Sequence, residues 1–271
     1  MRQIIMTQSK TSLSQHASRS RLKKTLFALV AISVILLLLP AIYLAWLHYN
    51  SQQLWQIVSQ RCVPEQQLSG SPEPCLLVNM AQRYTVFNDA NGPLHTLLIP
   101  TDKITGIESP ELLNSEVENY FQHGWDTRYF LQQKATFPVP DRYLALAVNS
   151  RYGRTQNQLH LHLACLKPDV YQTISQLKTD IGQQWQQLER PLVGHRYLAI
   201  KVPATTDPFI ALAQYLQAEG DSMENYGLVR LVTDDDEAIL LATRIQLTAL
   251  TLGSAEELLD MDCKLAQELM R

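Results

Sequence analysis

The sequence predicts an α+β fold: a mostly antiparallel sheet with helices on one face, preceded by a single membrane-spanning helix. Three features carry this reading. Short β-type runs face each other across turn signals, helical runs are interleaved between them, and residues 25–47 contain no charge.

The uncharged run TLFALVAISVILLLLPAIYLAWL would form ~35 Å of helix, against a hydrocarbon core of about 30 Å. Tyr43, Trp46 and Tyr49 stand at its far end, where interfacial aromatics belong. Arg2, Lys10, Arg19, Arg21, Lys23 and Lys24 precede it without a single acid. Residues 1–24 therefore carry +6 and the remainder −9, from a total of −3. The positive-inside rule places residues 1–24 in the cytoplasm, 25–47 in the bilayer and 48–271 outside. The alternative is a cleaved signal peptide. It would have a shorter apolar run, ~7–15 residues, and an A-x-A site that LAWLHYN does not offer. An acidic body of this kind lacks the electrostatic footprint of a nucleic-acid binder.

All four cysteines follow the anchor, in a compartment that permits disulfides. Cys62 and Cys75 flank a polar stretch and are the easiest pair to join, which leaves Cys165 with Cys263. The other two connectivities stay open at this stage.

After the anchor, residues 50–61 predict a short helix running into a loop, VPEQQLSGSPEP. The runs 83–89 and 95–100 predict a hairpin turned at Asn91-Gly92. Residues 110 to about 134 repeat apolar side chains at helical spacing behind Ser109-Pro110. Strands are expected at 142–150 and 158–166, and a helix opens at Pro168 and runs to about 189. A strand at 195–202, a helix at 208–218 and a hairpin over 226–244 follow. Ser254 and Glu257 suggest a capping box on a last helix. No repeat of fixed period is visible. Asp234, Asp235, Asp236 and Glu237 read as a solvated turn rather than a ligand cluster.

The chemistry-bearing segment is QLHLHLACL (158–166). Side chains alternate along a strand, so Leu159, Leu161, Leu163 and Cys165 face one way. Gln158, His160, His162 and Ala164 face the other. Three readings fit two histidines placed so: a nucleophile and its assistant, half of a metal site, or polar residues on a solvated face. Cys165 is on the wrong face to join them as a ligand, and no HExxH or CxxC accompanies them, which weakens the metal reading. The preceding loop holds Asn149, Ser150, Arg151, Arg154, Thr155, Gln156 and Asn157, the fixed donors that a phosphate group uses.

Gln158-Leu-His160-Leu-His162-Leu-Ala164 resembles the histidine-triad motif, with Gln in the first position. HTLLIPTDKITGIESPELL resembles a strand and following helix of that superfamily, and RYTVFND the strand before it. The segments NGPLHTLLIPT, GIESPELL, PVPDRYLALAVNSRYGRTQNQLHLHLACLKPDV, GHRYLA and SAEEL resemble the bacterial membrane-anchored CDP-diacylglycerol pyrophosphatase family.

The resemblance implies a HIT-like domain over residues 48–271, in the periplasm of a cell whose inner membrane holds the anchor. It implies hydrolysis of CDP-diacylglycerol to CMP and phosphatidate, with no cofactor and no metal. By the same likeness His160 attacks phosphorus, His162 contacts the phosphate oxygens, and the backbone carbonyl of Gln158 orients the nucleophile. Asn149, Arg151, Arg154, Thr155, Asn157 and Gln158 are the expected substrate contacts, and the lipid and its bilayer the expected partners. Two other outcomes of the same residues are nucleotidyl transfer to another acceptor and a metal-dependent phosphohydrolase using His160 and His162. A non-catalytic lipid- or partner-binding domain is a third.

Overall fold

The structure, a computed structural model, describes residues 38–39, 49–114, 116–233 and 237–268. The basic tail and nearly all of the expected span at 25–47 lie outside these residues, as do Asp234, Asp235 and Asp236. Among the described residues no helix is long and apolar enough to cross a membrane. The chain divides into two units, Met1–Asn50 and Ser51–Arg271, and the sheet belongs to the second.

That unit is α+β, built on a 10-stranded sheet. Nine strands lie in the order β1-β2-β3-β5-β4-β8-β9-β7-β6, and β10 pairs with β5. They are β1 (Leu77–Asn79), β2 (Tyr84–Asn88), β3 (Thr96–Pro100), β4 (Leu144–Val148), β5 (Leu161–Leu166), β6 (Gln186–Gln187), β7 (Leu198–Pro203), β8 (Tyr226–Val232), β9 (Glu237–Arg244) and β10 (Leu259–Asp260). Every pairing is antiparallel. The order from β2 to β4 is the mirror of the order from β6 to β8. Each half runs hairpin, helix, hairpin, and slips its last strand beside its second. The sequence shows no repeat because the two halves share connectivity rather than residues.

The alternation along β5 holds. Leu159, Leu161, Leu163 and Cys165 enter the larger core, together with Tyr120, Phe121 and Trp125 of helix α3 (Tyr120–Asp126) and Phe209, Leu212 and Leu216 of helix α6 (Pro208–Glu219). Ala164 lies in the core on the opposite side. That second face is also covered, which corrects the expectation of helices on one face only. Helix α5 (Pro168–Leu177) seats Val170, Ile174 and Leu177 against Ala145, Ala147 and Ala164. Helix α1 (Gln53–Ile57) and the π turn after it (Val58–Cys62) place Leu54 and Val58 on Leu97 and Ile99 of β3.

Several boundaries differ from the sequence reading, each for a local reason. VPEQQLS is helical, as α2 (Val63–Ser69), because Pro64 occupies a first-turn position and Gly70 closes the helix in the left-handed region. The stretch from 110 to 134 breaks into a 3₁₀ turn (Pro110–Leu113), α3, and α4 (Tyr129–Lys134). Asn114 is extended, and the Asn119 side chain caps α3 by accepting from the Gln122 amide. Helix α5 stops at Leu177, and part of the remaining Gln-rich stretch forms β6. The capping box at Ser254 does not form: residues Ala255–Leu258 make a 3₁₀ turn without a side-chain cap, and the Glu257 carboxylate accepts from Tyr197 and pairs with His195.

The cysteines pair as Cys62–Cys75 and Cys165–Cys263. The second bridge ties β5, at Cys165, to the turn before helix α7 (Lys264–Glu268), on the core side of the strand. Opening it removes a cross-link between residues 98 apart. The double substitution Cys165→Ala/Cys263→Ala should therefore lower unfolding stability by roughly 2–5 kcal/mol. Alkylation of unreduced native protein, read by mass spectrometry, should label no cysteine.

Candidate active site

The site is built where the chain enters β5. The Gln158 backbone carbonyl accepts a hydrogen bond from His160 Nδ1–H at 2.7 Å. A neutral imidazole that donates from Nδ1 keeps its lone pair on Nε2, the atom left to face the cleft that His160 lines. Burial, and then the neighbouring His162, hold the His160 imidazole down at about 4, so the ring is neutral at ordinary pH. His162 is two residues on, its ring edge-on to that of His160 with centroids 4.8 Å apart. Both side chains are buried, which disposes of the solvated-face reading.

Three groups absent from the sequence reading complete the cluster. His95 precedes β3 on the face that also bears Leu97, and Leu97 is paired with His162 across the sheet. Its Nε2 lies 3.0 Å from His162 Nδ1, so one ring donates and the other accepts. Burial, and then His162, push His95 down to about 4. Asp89 approaches the other side of His95, with Oδ2 3.8 Å from Nδ1. Glu256 Oε2 comes to 2.9 Å from His162 Nε2, an ion-pair approach without a straight hydrogen bond. Burial would raise the Glu256 carboxyl, but the contact with His162 outweighs it and holds it at about 2.

Asp89, His95 and His162 also satisfy the loosest requirement for a metal site, with ligand atoms all within 4.8 Å of one another. Ligands around a tetrahedral zinc are spaced by only ~3.4 Å. The cluster would have to contract, and it would have to give up the His95–His162 hydrogen bond.

Glu256 arrives by a close approach of backbone to sheet. Gly227 of β8 has no Cβ where one would overlap the Gly253 carbonyl oxygen. Gly253 itself takes φ +71°, open to glycine at no cost. Asn149 then fixes the segment, its Oδ1 accepting from the Glu256 amide at 3.1 Å.

Around the histidines the gap between α1 and the loop 149–157 forms a cleft of about 400 Å³, within the ~300–1,000 Å³ common for small-molecule sites. Leu54, Ile57 and Phe87 supply an apolar wall; Asp89, Asn91, Asn149, Thr155, Gln156 and Glu256 supply polar groups.

Of the expected substrate contacts, Asn149 and Thr155 line this cleft. The two arginines do not. Arg154 is buried in a two-pronged pair with Glu108, and Arg151 pairs with Glu224 at the surface. Both charges are paired with carboxylates. Asn157 is turned to Ser51, with its amide and side-chain nitrogens donating to that residue, and so anchors the chain just before α1. The Gln158 side chain donates to the Pro100 and Asp102 carbonyls, away from the cleft.

A family model described as CDP-diacylglycerol pyrophosphatase matches residues 49–267. A CDP-diacylglycerol pyrophosphatase of Yersinia pestis is 40% identical over 241 residues, covering 87% of this chain and 93% of that protein. The chain belongs to the CDP-diacylglycerol pyrophosphatase family. The matched region holds every described group of the cluster, from Asp89 through His95, His160 and His162 to Glu256. Gln158 touches the nucleophile candidate through its backbone oxygen.

The depressed value at His160 sets the pH dependence. The neutral ring is the competent form, so kcat/KM should hold as pH falls through 6.5, the usual histidine range, and decline only near 4, where the ring gains a proton. The same shift costs stability in that window, because the unfolded chain takes up the proton at the higher pH. Circular dichroism at each pH separates the two. A fall in kcat/KM as pH drops through 6.5, with the fold intact, would show that His160 is not held neutral.

Proposed function

We propose that the chain hydrolyses the pyrophosphate bond of CDP-diacylglycerol, giving CMP and phosphatidate through a nucleotidyl-histidine on His160. Family membership supports the substrate and the reaction. One observation supports the nucleophile: His160 Nδ1–H is committed to the Gln158 carbonyl, which leaves Nε2 unprotonated beside the cleft.

In the first step Nε2 attacks the cytidine-side phosphorus, and the bond to the bridging oxygen breaks. Phosphatidate leaves with the proton that His162 carries on Nε2. In the second step water attacks the same phosphorus and the P–N bond breaks, returning the lone pair to His160. Glu256, a carboxylate at the cleft and next to His162, accepts the water proton and hands it to His162 Nε2, which restores the proton lost in the first step. Leu54, Ile57 and Phe87 offer the apolar surface that a base requires. Capture of the adduct by an alcohol or phosphate in place of water would give the transferase reading, and counting CMP with and without such acceptors separates the two. Exhaustive chelation that abolishes turnover, with recovery on zinc, would move the assignment to the metal-dependent alternative.

The roles separate in rapid-quench experiments with label on the cytidine-side phosphate. His160→Ala should lose both turnover and adduct. His162→Ala should slow both steps, by roughly a hundredfold for a lost contact of ~3 kcal/mol, and still form detectable adduct. Glu256→Gln should form the adduct and accumulate it. Gln158→Ala should be the mildest, since alanine keeps the carbonyl. Label mapped to His162, or a Gln158→Ala variant as inactive as His160→Ala, would overturn these roles.

We also infer the topology from the charge asymmetry and the cysteines: 1–24 cytoplasmic, 25–47 spanning the inner membrane, 48–271 periplasmic. Two disulfides in the large unit support an oxidising compartment. A reporter active only in the periplasm, fused after Arg271, should be active; an inactive fusion on a well-expressed chain would reverse the orientation.

A further inference from the structure

Between β9 and the 3₁₀ turn at Ala255–Leu258 runs a loop with no charged residue from Ile245 to Ala255. Gln246 and Thr251 close it with two backbone hydrogen bonds, of 2.9 and 3.2 Å, so it is a built turn. At its tip the apolar side chains point to solvent: Leu247 is 70% exposed, Leu250 90% and Leu252 45%. Leu250 also holds φ +56°, a conformation that a leucine adopts only at a cost. Elsewhere in the described part of Ser51–Arg271 the exposed apolar side chains, such as Leu68, Met80 and Tyr129, are far apart in sequence, as on any surface. Three leucines within six residues are a patch.

The turn is fastened to the wall of the cleft. Ser150 donates from its amide to the Gly253 carbonyl and from its hydroxyl to the Leu252 carbonyl. Ser254 donates to the Gly153 carbonyl. Gly153, Asn149 and Thr155 on one side of these bonds, and Glu256 on the other, line the cleft. Tyr152, in the same fastened loop, is 45% exposed. Two flanking acids are paired with arginines: Glu224 with Arg151 and Asp221 with Arg244.

We propose that the Leu247–Leu252 turn, with Tyr152 beside it, docks into the bilayer that holds the substrate and sets the mouth of the cleft at headgroup level. This rests on the reading of the substrate as a diacyl lipid. Such a lipid keeps its chains in the membrane, so the reacting phosphates lie at the surface. A cleft whose rim carries an uncharged apolar turn meets them without lifting the lipid out. The segment before Ser51 would hold the domain near the membrane, whereas the turn would orient it.

The test uses the full chain in proteoliposomes of phosphatidylcholine and phosphatidylglycerol containing long-chain CDP-diacylglycerol. All four native cysteines are in disulfides, so Leu250→Cys offers a single thiol for a polarity-sensitive fluorophore. Its emission should shift to the blue and be quenched by lipids brominated along the acyl chains. Leu247→Asp/Leu250→Asp should lower kcat/KM on the bilayer substrate by at least about tenfold, and stay within about twofold of wild type on a short-chain, water-soluble substrate. A water-like emission without quenching overturns the proposal. So does a blue shift that brominated lipid leaves untouched, which would put a protein surface over the turn. Equal loss on both substrates would assign the leucines to the cleft instead of the membrane. The quenching decides docking whether or not the chain turns over CDP-diacylglycerol, and wild-type turnover of the short-chain substrate decides the chemistry by itself.

Discussion

The bond from His160 Nδ1–H to the Gln158 carbonyl turns an ordinary strand residue into a nucleophile candidate. An imidazole free to flip would present either nitrogen, protonated or not. Fixed by a main-chain oxygen two residues away, it presents Nε2 with its lone pair. The geometry requires Gln158–His160 to be held just short of β5, and the fold supplies this twice over. The Leu159 amide donates to the Ile104 carbonyl, and the Gln158 side chain donates to the carbonyls of Pro100 and Asp102. The glutamine side chain thus secures the backbone that its own carbonyl needs in order to work.

The electrostatics around that atom are unusual for a site that would take a pyrophosphate. Among the described residues no lysine or arginine lines the cleft, and the carboxylates there are Asp89 and Glu256. Arg154 and Arg151, in the loop before the histidines, are neutralised by Glu108 and Glu224. The His95–His162 contact, with a carboxylate at each end, is a path along which one proton can move. Glu256 occupies the side of His162 where an oxygen of the substrate would be stabilised. Its side chain is 39% exposed, open enough to swing aside and return as a base. Such an arrangement favours a hydrolase, since the group displaced by phosphate is the group that water next requires.

Local chemistry was legible in the sequence wherever it was written in neighbours. Alternation from Leu159 to Cys165 gave the faces of β5, Asn91-Gly92 gave the hairpin, and the even cysteine count with one short spacing favoured the observed pairing without excluding the others. Partners brought together by register were not legible. His95 lies 67 residues from His162 and is joined to it only because β3 pairs with β5. A signal did exist: His95, Leu97 and Ile99 share one strand face, and an imidazole heading an apolar strand stripe is worth pairing with others. Glu256 had none, because two glycines and Asn149 bring it in. The partner of Arg154 was illegible for a related reason: Glu108, which is bound to it, lies 46 residues upstream.

The mirrored strand order explains why only one half of the sheet carries chemistry. β5 and β9 hold equivalent places, each slipped between the strands of its own half. On the face where β5 bears His162, β9 bears Ile239 and Leu241, buried against the second core. The half with β9 therefore has its face closed by apolar packing, and it contributes rigidity through the long β8–β9 and β7–β9 ladders. The half with β5 leaves its face open between α1 and the loop 149–157. The two halves meet at the β4–β8 pairing, where Gly227, one residue before the first paired position of β8, admits the segment that carries Glu256. The inert half thus completes the active one, by providing the strand against which the last acid of the site is seated.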